Sequence, residues 1–283
     1  MKLLTIAWKT GFESVKRVTM LIFLGIGTII MLAVLFGLRV DYVDGHPDTL
    51  ILFGNAIPIN EGFIDPSAYI YLFTIGGSLM GMMLFGMIAT AGIIPSFLKR
   101  GTIDIYLSKP ISRLHLLFSK YLGGVSAIAA ALLYFFLGMF LIVAIKTGYW
   151  NPSVFYVWGL GVILFACVYA MASFLAVISR SIGVVLIFVY LHLFILSDII
   201  DSYQDFPIGF LQTKSAEIVF TVLHYLLPQI QPMLAQMMGI FERQTIPGAM
   251  FENGFDFMPF VYSLLSGIFF FLLAYLKFRQ SDY

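Results

Sequence analysis

Val18-Thr-Met-Leu-Ile-Phe-Leu-Gly-Ile-Gly-Thr-Ile-Ile-Met-Leu-Ala-Val-Leu-Phe-Gly-Leu38 decides the fold class. The run carries no Asp, Glu, Lys or Arg, and it is bounded by Lys16-Arg17 on one side and Arg39 on the other. A helix needs about 20 apolar residues to cross the hydrocarbon core of a bilayer. This run is long enough to span, and it lacks the short apolar core and cleavage site of a removable signal.

Five further runs meet the same length test. The expected spans are 18–38, 68–94, 116–145, 153–178, 182–200 and 259–276, in a single all-α membrane domain over 1–283. The third is longer than a bilayer needs, so one end is expected to project. Composition agrees: 60% of the chain is hydrophobic and 11% charged, against roughly 25% charged in a soluble domain. The 29 Phe residues alone carry more apolar surface than a soluble chain of 283 residues could hide. The one cysteine, Cys167, lies within an apolar run, has no partner for an internal disulfide and gives no redox or metal signal.

Charge placement orients the spans. With the N-terminus inside and the sides alternating, the inner segments hold twelve of the 16 basic residues, leaving Arg39, Lys146, Lys214 and Arg243 outside. That is the positive-inside asymmetry. Of 15 acidic residues, only Glu13, Asp104 and Asp282 fall inside. Both termini are therefore expected in the cytoplasm.

Three non-spanning segments carry further signals. In 1–17, Leu4, Trp8, Phe12 and Val15 recur at helical spacing, with Lys2, Lys9, Glu13, Lys16 and Arg17 largely elsewhere. This reads as an amphipathic helix lying on the inner face, against the plainer reading of a charged extension. The outer loop 39–67 is rich in Asp, Gly and Pro and suggests a small hairpin but no site. In the long outer segment 201–258, Ala216, Val219, Phe220, Leu223, Leu226 and Leu227 share one helical face, and Pro228 and Pro232 interrupt it. A helix at the outer interface, or one dipping partly into it, is expected. A seventh full span would send the basic C-terminus outside.

Between the second and third spans lies Leu98-Lys-Arg-Gly-Thr-Ile-Asp-Ile-Tyr-Leu-Ser-Lys-Pro-Ile-Ser-Arg113. Thr102 is a suitable N-cap, and Asp104 falls in the first turn, where an acid favours the positive helix end. Ile103, Ile105, Tyr106 and Leu107 supply a short apolar surface, and Pro110 ends the helix. One or two turns lying parallel to the membrane are expected over 101–113.

Here the chain resembles the permeases of bacterial ABC type-2 exporters. That family commonly shows a Gly-Thr-Leu-x-x-Leu-Leu-Ser-x-Pro-Ile-Ser-Arg-like stretch after its second span. Gly101, Thr102, Ile103, Leu107, Ser108, Pro110, Ile111, Ser112 and Arg113 fit that pattern. The resemblance extends to the basic lead helix, the six spans, the long segment before the last span and the short basic tail 277–282. One departure is visible: many members carry a Glu shortly before the Gly-Thr, where this chain has Pro95-Ser-Phe-Leu-Lys-Arg100.

The resemblance implies a cytosolic ABC ATPase as partner, with ATP and magnesium bound there and not on this chain. It also implies a homodimer, or pairing with a related permease, in a bacterial or archaeal cell membrane. The coupling helix would comprise Gly101, Thr102, Ile103, Asp104, Tyr106, Leu107, Ser108, Pro110 and Arg113. The sequence agrees with a separate ATPase. No Lys follows a Gly, so the phosphate-cradling Gly-Lys-Ser/Thr loop is missing and the chain is not expected to be an enzyme by itself. The bland alternative is that Lys99, Arg100, Lys109 and Arg113 anchor the protein to anionic headgroups.

Other candidates are weaker. His192, near the middle of the fifth span, is a candidate pathway contact, because ionisable groups inside spans are commonly functional. The plainer reading is a hydrogen bond to a neighbouring helix. Asp198 and Asp201, at the outer end of that span, read as solvated. Met80, Met82, Met83 and Met87, interleaved with Gly76, Gly77, Gly81 and Gly86, read as helix packing before a Cu(I) path. An ATP-independent transporter or channel would call for broken helices or ionisable pairs at mid-membrane. An intramembrane zinc protease would need His-Glu-x-x-His, which the four histidines at 46, 115, 192 and 224 do not form. A serine protease would need Ser173 or Ser197 to face His192.

Overall fold

The structure is a computed structural model, and it describes residues 5–8, 10–11, 18–43, 46–58, 65–99, 101–107, 111–202, 213–245 and 254–281. Six helices are long and apolar enough to cross a membrane: Val18–Gly37, Ser67–Phe97, Arg113–Thr147, Ser153–Ser179, Ile182–Asp201 and Met258–Gln280. The chain is a multi-pass membrane protein, and each helix contains one of the expected spans within a few residues. The differences lie at the ends, where polar residues continue the helices beyond the apolar core. The 35-residue third span rises about 52 Å against a core of about 30 Å, so it must project.

The fourth span is the central post. Its apolar window is 67% buried, against 28% for the first and fifth spans. Close approach of the sixth span depends on Gly267, where a Cβ would meet the Cys167 backbone at 3.3 Å. Across the third span, a Cβ on Gly124 would stand 2.7 Å from the Tyr169 ring. Cys167 is therefore a packed core residue. The Met-rich second span also packs: Met82, Met83 and Met87 are buried, and Met83 reaches the fourth span beside Gly161.

Two spans carry a π-helical turn, at Leu72–Gly76 and at His192–Leu196. Neither is foreshadowed by the hydrophobic pattern.

The described part of loop 39–67 holds one strand more than a small hairpin. It forms a three-stranded antiparallel sheet in the order β1 (Leu38–Val43), β2 (His46–Leu52), β3 (Asn55–Pro58). Leu52 pairs with Asn55 across the two-residue turn Phe53-Gly54, both at positive φ (52° and 85°). Positive φ at both positions is the turn geometry that matches strand twist. Leu38, Leu50 and Leu52 point into the core, which fixes the register.

The segment after the fifth span forms two helices, Lys214–Leu226 and Ile230–Thr245, bent by 58° at Pro228. The second was not foreseen. The joint of the pair is anchored inside the bundle, where the Gln229 N–H donates to Ser263 Oγ (2.9 Å) and Ser266 Oγ donates to the Leu226 carbonyl (2.6 Å). Ser263 lies five residues, about 8 Å, along the sixth span from its Met258 end. The far end of the second helix returns to that same end, where Gln244 Oε1 accepts from Asn151 (2.6 Å). The second helix therefore enters the bundle from that end, as a re-entrant limb does. The first helix of the pair differs from expectation in its cover: none of its residues is buried, and Val219 and Leu226 are exposed.

Candidate functional site

The segment between the second and third spans stands at the end of the bundle that also holds the C-terminus. The second span breaks at Gly92 and continues as Ile93–Phe97. The Lys99 carbonyl then accepts from the N–H groups of both Thr102 and Ile103 (3.1 Å each), which starts the Thr102–Leu107 helix.

The cap is not Thr102. Gly101 occupies that position at φ +81°, and its N–H donates to Asp104 Oδ2 at 2.9 Å. This is the reciprocal half of a capping box, with the acid three residues along reaching back to the cap nitrogen. Asp104 thus closes the turn as well as facing the helix dipole. Ile103 is 0% exposed and belongs to the hydrophobic core. It anchors the turn, leaving the helix to present other residues outward. Thr102 and Asp104 are exposed. For Tyr106 and Leu107 the structure describes the helical backbone and not the side chains, and Ser108, Lys109 and Pro110 lie outside the described residues.

The third span begins with a cap of its own. Ser112 has extended backbone, and its Oγ accepts from the His115 N–H at 3.3 Å and pairs with His115 Nδ1. Arg113 follows and reaches across the bundle. Its Nη1 donates to the main-chain oxygens of Phe278 (3.3 Å), Arg279 (2.9 Å) and Ser281 (3.0 Å). These are carbonyls that the end of the last helix leaves without intrahelical partners. Phe97 meets Phe278 with ring centroids 6.0 Å apart, and Lys120 Nζ stands 5.8 Å from the Phe97 ring centre. The short helix is thus held between two spans that both grip the end of a third. The Arg113 clamp was not foreseen: spacing within one segment says nothing of a partner 166 residues away.

The lead segment packs at this end too. A Cβ on Gly123 would meet Thr10 Cβ at 2.6 Å and the Ala7 carbonyl oxygen at 2.9 Å. Residues 5–8, 10 and 11 are helical; the rest of the expected 1–17 helix lies outside the described residues.

His192 lies in the π-turn of the fifth span, 2% exposed, with Nε2 3.1 Å from the Pro228 carbonyl oxygen. A carbonyl only accepts, so Nε2 carries the proton and Nδ1 is left as an acceptor. Nδ1 is buried without a hydrogen-bond partner among the described residues. A small pocket beside it is lined by Ser197, Asp201, His224 and Gln229, and His224 Nδ1 is 3.0 Å from Asp201 Oδ1. Ser197 Oγ accepts from the Gln231 N–H (3.4 Å), and Ser173 Oγ donates to the Tyr169 carbonyl (2.6 Å). Neither hydroxyl is bonded to His192 in the described structure.

At the opposite end a polar knot ties three elements. Asn151 Nδ2 donates to Asp65 Oδ2 (2.7 Å) and Gln244 Oε1 (2.6 Å), and the Asp65 N–H donates to the Gln244 carbonyl (2.9 Å). Asp65 also accepts from the Ser67 N–H (2.9 Å) and caps the second span, with Pro66 at its first position. The Asp-Pro-Ser signal for that cap was present in the sequence. Among the described residues no group of three or more His, Cys, Asp or Glu is placed to hold a metal ion. No protein-family model matches the chain, and no characterised protein matches it in sequence.

Proposed function

We propose that the chain is the membrane-spanning permease subunit of an ABC-type exporter. In this reading it forms the substrate pathway as a homodimer or with a related permease, and it is driven by a separate cytosolic ATPase. The observation that carries the reading is the short capped helix Thr102–Leu107. It is braced by the second and third spans, and through Arg113 and Phe97 it grips the cytoplasmic end of the sixth. A push on such a helix moves three spans together, which is what coupling to an external motor requires. The motif Gly101 to Arg113 and the inner excess of basic residues support the same reading.

Tyr106 and Leu107 are the contact residues in this scheme, with Ile103 as their anchor. Burying one such side chain in a partner is worth roughly 1.5–3 kcal/mol. Tyr106→Asp and Leu107→Asp should therefore release the ATPase on co-purification, or uncouple its hydrolysis, while insertion and permease pairing persist. Lys99→Gln should do far less, since an exposed ion pair is worth under about 1 kcal/mol. If both Asp variants bind and stimulate the ATPase like the wild type, the segment is not the coupling element.

A second reading, ATP-independent transport, is favoured by one set of observations. These are the π-turn at His192, the unpartnered Nδ1 there and the broken re-entrant pair beside it. Transport by the purified chain in vesicles without any ATPase would establish it and overturn the first.

A further inference from the structure

A cavity of about 540 Å³ opens on the flank of the bundle, at the end away from the termini. One wall is the fourth span from Ser153 to Ile163; the other is Ile240 and Gln244 of the re-entrant helix, with Phe255 and Phe257 above the sixth span. Its volume is in the range of small-molecule sites, about 300–1,000 Å³. From the structure we infer that this groove holds one acyl chain of a zwitterionic phospholipid from the leaflet at that end, with the phosphate at Arg243.

Depth argues for an acyl chain. Ser153 to Ile163 is ten residues, about 15 Å of helix and half of the roughly 30 Å hydrocarbon core. The groove therefore runs from the headgroup level to the bilayer centre and no further. Tyr156, on its wall, and Trp150, three residues before Ser153 in the chain, are exposed, as Tyr and Trp side chains are at the interface. The deeper lining residues Leu160, Ile163 and Ile240 have no polar side-chain atom, whereas Ser153 and Gln244 stand at the interfacial end.

Charge argues for the headgroup. The Arg243 guanidinium sits 6.0 Å from the centre of the Phe255 ring, and Phe255 lines the groove. Its Nε donates to the Gly239 carbonyl (2.9 Å), which fixes the group and leaves the remaining N–H donors for an oxyanion. The rim is of mixed sign, because Asp256 follows Phe255 and is exposed. A headgroup with both a phosphate and an ammonium suits that rim better than a purely anionic one. Asp65 is not part of the lining; its carboxylate is occupied by Asn151 and Ser67.

Gly159 provides a clean test, because a Cβ there would meet nothing within 4 Å. Gly159→Leu narrows the groove at its middle, and its Cβ meets no protein atom. The full chain would be placed in phosphatidylethanolamine–phosphatidylcholine vesicles. These would carry a trace of either phosphatidylethanolamine or diacylglycerol with a photoreactive acyl chain, and the cross-links would be mapped by mass spectrometry. One cation near a phosphate should favour the phospholipid probe over diacylglycerol about fivefold at the groove. Arg243→Gln should bring that ratio near one. Gly159→Leu should reduce groove labelling by both probes while leaving labelling of the exposed Leu137 and Leu141 unchanged. Groove labelling no stronger than at Leu137, or no preference for the phospholipid probe in the wild type, overturns the proposal. So does disulfide trapping between two copies through Tyr156→Cys, which would make the groove a contact between chains.

Discussion

Arg113 and Arg279 are joined end to end: the guanidinium of the first donates to the main-chain carbonyl of the second at 2.9 Å. The same nitrogen serves Phe278 and Ser281, so one side chain at the start of the third span terminates the sixth. Removing it returns the last carbonyls to water. The loss should be about 1 kcal/mol, since the site is partly exposed. Arg113→Ala should accelerate amide exchange at Ser281, whose N–H bonds the Lys277 carbonyl, about fivefold. Arg113→Lys should recover little, because a point charge cannot span several acceptors as a guanidinium does. Unchanged exchange in both variants would show that the clamp does not hold the helix end.

Gly101 sits at φ +81°, where a side chain costs roughly 1–2 kcal/mol. Gly101→Val should open the Thr102–Leu107 turn, seen as loss of exchange protection at 105–107, and Gly101→Asn should do so less. Asp104→Ala, which leaves the Gly101 N–H without its acceptor, should act in the same direction. If the proposed coupling role holds, ATPase association should fall in the order of turn opening.

The glycines separate into packed and idle ones. Gly124→Ala would drive a Cβ to 2.7 Å from the Tyr169 ring, and Gly267→Leu would press on the Cys167 backbone. Each should destabilise by about 1–3 kcal/mol, the usual range for overpacking. Gly77→Ala and Gly81→Ala meet nothing within 4 Å and should be neutral or slightly stabilising. Thermal unfolding in detergent would distinguish the pairs; equal midpoints for all four would remove the close-approach argument.

The spans were legible because a bilayer imposes length and apolarity on every crossing helix, and Val18–Gly37 announces itself by composition alone. The short helix Thr102–Leu107 was legible between the second and third spans. Its true cap was not, because Thr is a common cap and the positive φ of Gly101 belongs to three-dimensional closure. The re-entrant joint was half legible. Pro228 marked the break, yet Ile230, Met233, Met237 and Phe241 were passed over although they fall on one helical face, all buried. Polar neighbours such as Gln231, Gln236 and Glu242 lower that helix's apolarity below that of a span. The turn at Phe53-Gly54 escaped because Phe at positive φ is uncommon; its ring is held close over Gly37, whose absent side chain leaves the space.

His192 supports the last prediction. Its Nε2–H reaches the Pro228 carbonyl at the tip of the re-entrant pair, a main-chain oxygen that would otherwise be buried without a donor. Such an orphan costs about 1–3 kcal/mol, so His192→Leu should loosen the tip. The readout is the accessibility of Gln229→Cys to a water-soluble thiol reagent, in a chain whose buried Cys167 is replaced by Ala. Labelling should rise several-fold with Leu at 192 and return toward the parent with Gln, whose amide nitrogen can donate in place of Nε2. Gln keeps an acceptor as well, its Oε1, but carries no ring nitrogen that can take up and release a proton. If the proposed permease role holds, a His192→Gln chain that keeps the tip in place and still supports transport would confine His192 to anchoring. One that keeps the tip but loses transport would place the imidazole ring on the pathway. No change in labelling with Leu would show that other contacts, such as Gln229 with Ser263, hold the tip without it.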